Sequence, residues 1–171
     1  MRDHIPEHNE LSPVTQDELD TIAKKHSMFL RGELGGSRAM LHYRDLSNLD
    51  LSEKDFSHAD FTGCSMLHSN FTKGNFHCTT FFACDLRNSD FTDSNLTRAD
   101  LRGAYLGGAD LTRANMTGAD LREGKVMKRG AQGALENRAR ALGDHAQTIL
   151  CGAKLTETNL RDIQAKSADF S

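Results

Sequence analysis

From Leu46 onward a large apolar residue recurs at every fifth position. The series runs Leu46, Leu51, Phe56, Phe61, Met66 and so on to Leu121, and all sixteen of its members are Leu, Phe or Met. The residue directly before each one is Asp at nine positions and Asn at four. The residue two before is small at thirteen; the exceptions, Arg44, Leu49 and Lys54, all fall at the start of the series. A period of five fits neither the 3.6 of a helix nor the 2 of a flat strand. It fits a chain that turns a corner once per unit, so that one large and one small residue point inward from each side. The Asp, Asn, Ser and Thr beside the apolar position supply the turn-forming hydrogen bonds. Stacked coils then pair their backbones as parallel strands about 4.8 Å apart, and each coil buries its core only against its neighbours.

Three units, Ala99-Asp100-Leu101-Arg102-Gly103, Ala109-Asp110-Leu111-Thr112-Arg113 and Ala119-Asp120-Leu121-Arg122-Glu123, read A(D/N)LXX to the letter. In this the chain resembles the pentapeptide-repeat family, over residues 44–123 without a gap and again near 151–171. The resemblance implies an all-β solenoid, a right-handed quadrilateral β-helix with four pentapeptides per 20-residue coil. Sixteen units then make four coils, a rod about 19 Å long. A step of 20 predicts four inward columns, such as Leu51/Phe71/Phe91/Leu111. Phe concentrates in the early and middle coils, where the small residue is often Gly, Ser or Cys, as volume compensation in a narrow core requires.

The flanks differ. Residues 1–43 form an N-terminal segment in which Thr15-Gln16-Asp17-Glu18 is a capping box. Leu19, Ile22, Ala23, His26, Phe29 and Leu30 follow at helical spacing, and Gly32 can end the element. This predicts a helix over about 15–31 that covers the first coil. Residues 124–150 form a basic insert that breaks the register. Within it Ala131–Leu142 is expected as a short helix, with a hairpin or loop tip at Lys125–Arg129. The repeat resumes at Leu155, Leu160, Ala165 and Phe170, giving one further coil over 151–171. An open coil edge is a pairing hazard. A homodimer through the C-terminal coil is therefore expected, as the resemblance also implies, unless the polypeptide is a shortened one.

Composition agrees with a thin rod. Only six residues are Val or Ile and 37% are hydrophobic, while the net charge of −3 does not hold the chain open. Residues 44–122 carry 8 basic and 11 acidic side chains, too balanced for direct nucleic-acid binding. No apolar run reaches the roughly 18 residues of a membrane span, and Met1–Glu10 does not read as a signal peptide. The four cysteines lack C-x-x-C spacing, which points to thiols in a reducing, cytoplasmic setting.

No catalytic motif is present, so no enzyme activity, cofactor or metal is expected. His58 and Cys78 share an outward column with His77 beside them, but a zinc site needs three or four converging ligands. Cys64 and Cys84 stack in one inward column as small buried residues. Leu67 and Phe82 break the polar pattern of the outer wall, and Tyr105 stands where Asp or Asn is usual. These three, with Lys125, Lys128 and Arg129 of the insert, are the candidate contacts for a protein partner. The leading expectation is a bacterial protein–protein interaction or scaffold module. An alternative is a DNA mimic that binds DNA gyrase, as the resemblance implies for quinolone-resistance members, with Asp50, Asp90 and Asp110 on one face beside Glu53 and Asp93. Lys73 and Arg113 interrupt that face. A second alternative, a bacterial effector, rests on the resemblance alone.

Overall fold

The structure is a computed structural model that describes residues 11–124 and 147–170, together with the backbone of 127–129 and 135–137. Its core is a stack of square coils. The residue before each central apolar position forms an isolated parallel bridge to its counterpart 20 residues on, as in Asp50–Asn70–Asp90–Asp110 and Asp55–Asn75–Asn95–Asn115. Four such ladders run the length of the coil and define four walls. Within a ladder, Phe71 N–H donates to the Asp90 carbonyl at 2.7 Å and Asp90 N–H to the Ser69 carbonyl at 3.0 Å, so the backbone of one coil is satisfied by the next.

The corners follow from the Asp/Asn slot. Ser57 N–H donates to Asp55 Oδ1 at 2.9 Å and Thr72 N–H to Asn70 Oδ1 at 3.0 Å, and the pattern repeats along the chain. The following residue then takes a left-handed conformation. Among the described residues, fifteen other than Gly do so, including Lys73, Ala83, Asp93 and Arg98. Each such residue costs roughly 1–2 kcal/mol in isolation, which the ladders and the core must offset.

The central residues from Leu46 to Leu121 have no exposed surface. Six phenylalanines fill the early and middle coils. They stack along the rod (Phe71 on Phe91 at 4.3 Å, Phe61 on Phe81 at 5.6 Å) and meet edge-on across it (Phe56 with Phe61, Phe71 with Phe76, both 5.4 Å). Gly74 answers this crowding: a Cβ there would collide with the Phe76 ring and lie 3.1 Å from the Phe71 carbonyl oxygen. Polar members of the small column satisfy themselves locally. Ser69 Oγ donates to the Leu46 carbonyl, Thr79 Oγ1 to that of Phe56, and Cys84 Sγ to that of Phe61.

The N-terminal segment contributes β1 (Ser12–Pro13) and α1 (Gln16–Leu30). Thr15 Oγ1 accepts from Glu18 N–H at 3.2 Å, and Asp17 and Glu18 sit in the first turn, where acidic side chains favour a helix N-terminus. The helix ends in a Schellman motif: Gly32 is left-handed, its N–H bonds the Phe29 carbonyl, and Glu33 N–H bonds that of Met28. β1 pairs in parallel with β2 (Arg44–Asp45). Leu19 and His26 of α1 are buried, and His26 stacks on Phe56 at 5.7 Å. The three large residues in the small slot now have a reason. Arg44 bonds the Ser12 and Pro13 carbonyls, Lys54 pairs with Asp20, and Leu49 packs partly buried on the core. Those corners face the N-terminal segment and not another coil.

Two boundaries differ from the sequence reading. Leu41 is a further central position before Leu46, since Met40 bridges Asp60 and Ala39 and Leu41 are both buried. After the insert the coil restarts at Thr148–Leu150, ahead of residue 151: Tyr105 bridges Ile149, and Ile149 bridges Asp169. The partner step grows there from 20 residues to 44, an excess of 24. In that excursion β3 (Met127–Arg129) pairs antiparallel with β4 (Leu135–Asn137). This corrects the expected helix over Ala131–Leu142, whose residues 135–137 are strand. Backbone pairing with β3 overrides the helix-forming Ala, Leu and Glu of that stretch. Its other residues lie outside the described ones.

Candidate interaction surfaces of the coil

The outer wall is set by the residues that follow each central position, and most are tied down. Arg87 makes a two-point contact with Asp85, and Arg102 and Arg122 do the same with Asp100 and Asp120. These pairs sit two residues apart across one corner, so the guanidinium lies against the turn that its carboxylate builds. Arg113 reaches across coils to Asp93 with contacts at 2.7 and 2.8 Å, and Lys154 reaches Asp110 at 2.9 Å. The Arg113 hydrogen bonds hold the Asp93 carboxyl below its ordinary range. Asp110 drops to about 2, chiefly through the Thr112 hydroxyl and then through Lys154. Of the acidic face read from the sequence, Asp50, Asp90 and Glu53 remain without a lysine or arginine salt bridge among the described residues, while Asp93 and Asp110 are neutralised in place.

The candidate contact residues separate in the structure. Tyr105 is not a surface residue: it is 6% exposed, stacked in one ladder with the buried Ser65 and Asp85. Its slot faces outward by pattern, but on this wall that layer is covered. Phe82 is half-buried, with the Arg102 guanidinium 5.3 Å over its ring and Gly124 packed on its edge. Leu67 is also half-buried. Lys125 lies outside the described residues, and Lys128 and Arg129 are placed by backbone alone, on β3. Of the three whose side chains are described, Tyr105 is therefore buried, and Leu67 and Phe82 remain partly accessible.

One feature went unread in the sequence. Thr148 closes the junction where the excursion rejoins the coil. Its hydroxyl donates to the Leu101 carbonyl at 2.8 Å, accepts from Gly103 N–H at 2.9 Å, and lies 3.2 Å from the Arg122 carbonyl. In the last coil, which the five-residue step did reach, Leu155, Leu160 and Ala165 are only half-buried and Phe170 is 46% exposed. Among the described residues, no group of three or more His, Cys, Asp or Glu side chains is placed to hold a metal ion, and no helix is long and apolar enough to cross a membrane. None of the four cysteines is in a disulfide; Cys64 and Cys84 are buried, and burial pushes the Cys64 thiol up to about 12.

The model of the family "Pentapeptide repeats" matches residues 45–77 and 89–125, in eight copies. Among solved structures, the chain is similar to the pentapeptide repeat protein Rfr23 of the cyanobacterium Cyanothece 51142, at 19% identity and a TM-score of 0.63, covering 85% of this chain and 98% of that one. It is similar to a pentapeptide repeat protein of the Arabidopsis thaliana thylakoid lumen, at 24% identity and a TM-score of 0.53, covering 70% of this chain and 66%, just under two thirds, of that one. QnrB1, a plasmid-mediated fluoroquinolone resistance protein, matches at 22% identity and a TM-score of 0.33, over 77% of this chain and 63% of that one. No curated protein matches. At these identities the first two likenesses speak for the fold.

Proposed function

This chain is a pentapeptide-repeat protein, and from that premise we propose that it works as a non-enzymatic protein–protein interaction module. The observation that carries the reading is the last coil. Central residues in every earlier wall are fully buried, whereas Leu155, Leu160 and Ala165 are half-buried and Phe170 stands at the surface. A coil face of this kind is a ready template for another coil. In this reading the coil winds right-handed, as in the family, and α1 is the N-terminal cap. The C-terminal coil joins a second copy in a homodimer, and the β3–β4 excursion with Lys125, Lys128 and Arg129 supplies contacts to a partner of another kind.

Sedimentation equilibrium tests the pairing. The expected result is a dimer at micromolar concentration that Leu160→Asp converts to a folded monomer. A wild-type protein that stays monomeric throughout would overturn the reading.

The ion pairs weigh against the gyrase-directed DNA mimic. Such a mimic needs a continuous negative field, and here Arg113 and Lys154 sit on two of the carboxylates that would make it. A supercoiling assay is expected to show no effect; gyrase inhibition at submicromolar protein would reverse the order of the two readings.

A further inference from the structure

On the outer wall formed by the column Phe56/Phe76/Leu96/Met116, four polar side chains from two adjacent coils form a one-way hydrogen-bond chain. Asn95 Nδ2 donates to Asn75 Oδ1 at 2.9 Å, which fixes the orientation of the Asn95 amide. Thr97 Oγ1 then donates its single hydroxyl proton to Asn95 Oδ1 at 2.8 Å. Thr97 Oγ1 also lies 2.6 Å from His77 Nδ1, and having spent its proton it must accept there. His77 is thereby held as the Nδ1–H tautomer, and its Nε2 presents a lone pair. That lone pair faces Cys78 Sγ at 3.3 Å. The ring is braced from the side by His58, edge to face at 5.6 Å.

The order of parts is that of an activated thiol: a sulfur, an imidazole nitrogen free to take its proton, and a polar group holding the other nitrogen in the correct tautomer. Cys78 occupies the left-handed corner position, with φ of 54°, and is half-buried on the outside of the coil. The inward Cys64 and Cys84 are, by contrast, sealed in the core.

We propose that Cys78 is a nucleophilic thiol, with His77 as its base and Thr97 as the positioning residue, and that it is a site of reversible S-thiolation by small-molecule disulfides. In the step, the Cys78 S–H proton passes to His77 Nε2 and the thiolate attacks one sulfur of R–S–S–R. A Cys78–S–S–R bond forms as the R–S–S–R bond breaks. The leaving RS⁻ carries away the electron pair and takes the proton back from the imidazolium. The modified residue would stand on the outer wall, adding bulk there while leaving the core intact.

The folded protein contains its own reference, because Cys151 is an exposed thiol on a corner of the last coil. Timed reaction of the native wild-type protein with neutral dithiodipyridine at pH 7, quenched and peptide-mapped, gives a rate for each cysteine. Cys78 is expected to react about tenfold faster than Cys151, and Cys64 and Cys84 to stay unmodified. His77→Asn is expected to lower the Cys78 rate about tenfold while leaving that of Cys151 unchanged. Thr97→Val is expected to lower the Cys78 rate less and to shift its rate–pH profile, which a purely structural role would not do. Cys78 reacting no faster than Cys151 in the wild type would overturn the proposal without any variant. So would an unchanged Cys78 rate in a folded His77→Asn protein.

Discussion

Gln16 and Asp50 exchange both hydrogen bonds that a strand would otherwise supply. Asp50 N–H donates to Gln16 Oε1 at 2.9 Å, and Gln16 Nε2 donates to the Asp50 carbonyl at 3.0 Å. In the coils above, the residue in the Asp50 position makes the same two bonds with backbone one coil below, as Asn70 N–H does with the Leu49 carbonyl. A side-chain amide has the geometry of a peptide group, so one glutamine at the start of α1 terminates a ladder. Gln16→Ala is expected to lower stability by about 1 kcal/mol, since water can reach the freed groups. Urea unfolding followed by circular dichroism would measure it, and Gln16→Glu, which sets a carboxylate against the Asp50 carbonyl and the Asp20 carboxylate, should cost at least as much.

His26 does the same work on another wall and brings a pH dependence. Its Nε2 lies 3.0 Å from the Ser57 carbonyl and its Nδ1 accepts from Ala39 N–H at 3.1 Å, which requires the neutral ring. Burial is the main cause that lowers its pKa from the ordinary 6.5. With the folded value below the unfolded one, the unfolded chain binds more protons between them. His26 therefore contributes its full stability above about pH 6.5 and loses it as the pH falls through the folded value. Unfolding free energy measured between pH 8 and pH 5 should decline in the wild type. The decline should be shallower in His26→Phe, which keeps the stack on Phe56.

Gly74→Ala should destabilise the coil by about 1–3 kcal/mol, because the new methyl meets the Phe76 ring and the Phe71 carbonyl. Adding Phe76→Leu to that variant removes the ring and should recover part of the loss. A double-mutant cycle on thermal unfolding would show the coupling.

Ala83→Gly is expected to act in the opposite direction. Ala83 holds a φ of 61° at a corner and has no side-chain contact to lose beyond its methyl. Relief of left-handed strain outweighs the added entropy of Gly in the unfolded chain, for a gain of about 0.5 kcal/mol. A fall in melting temperature would contradict this account of the corners.

The five-residue step made the coil legible because one apolar slot and one Asp/Asn slot each have a single physical job. Units that do the job with other residues were missed. Ala39-Met40-Leu41 and Thr148-Ile149-Leu150 carry the small and large residues but put an apolar residue where Asp is usual, and the second also follows the insert. Tyr105 misled for a related reason: the slot tells which way a side chain leaves the coil, not how much of it stays exposed. The roles of Gln16 and His26 were hidden by local pattern, since one read as a capping-box residue and the other as part of an apolar helix face. Their partners lie 34 and 31 residues away. The Cys78–His77–Thr97 relay needed the coil step to bring residues 77 and 97 together, and then side-chain geometry to give it direction.

The ladders resume beyond the excursion as though nothing had intervened, with Asp110 on Lys154 and Asn115 on Asn159. The chain leaves at Gly124 and returns at Thr148, whose hydroxyl touches the Arg122 carbonyl. The coil thus works as a socket with a fixed aperture. Closing a loop across it costs only about 0.6 kcal/mol more for each doubling of length. Whatever sequence occupies residues 125–147 can be exchanged, lengthened or recoded while the shaft that carries it stays the same, so the displayed segment and its mount are free to evolve on separate clocks.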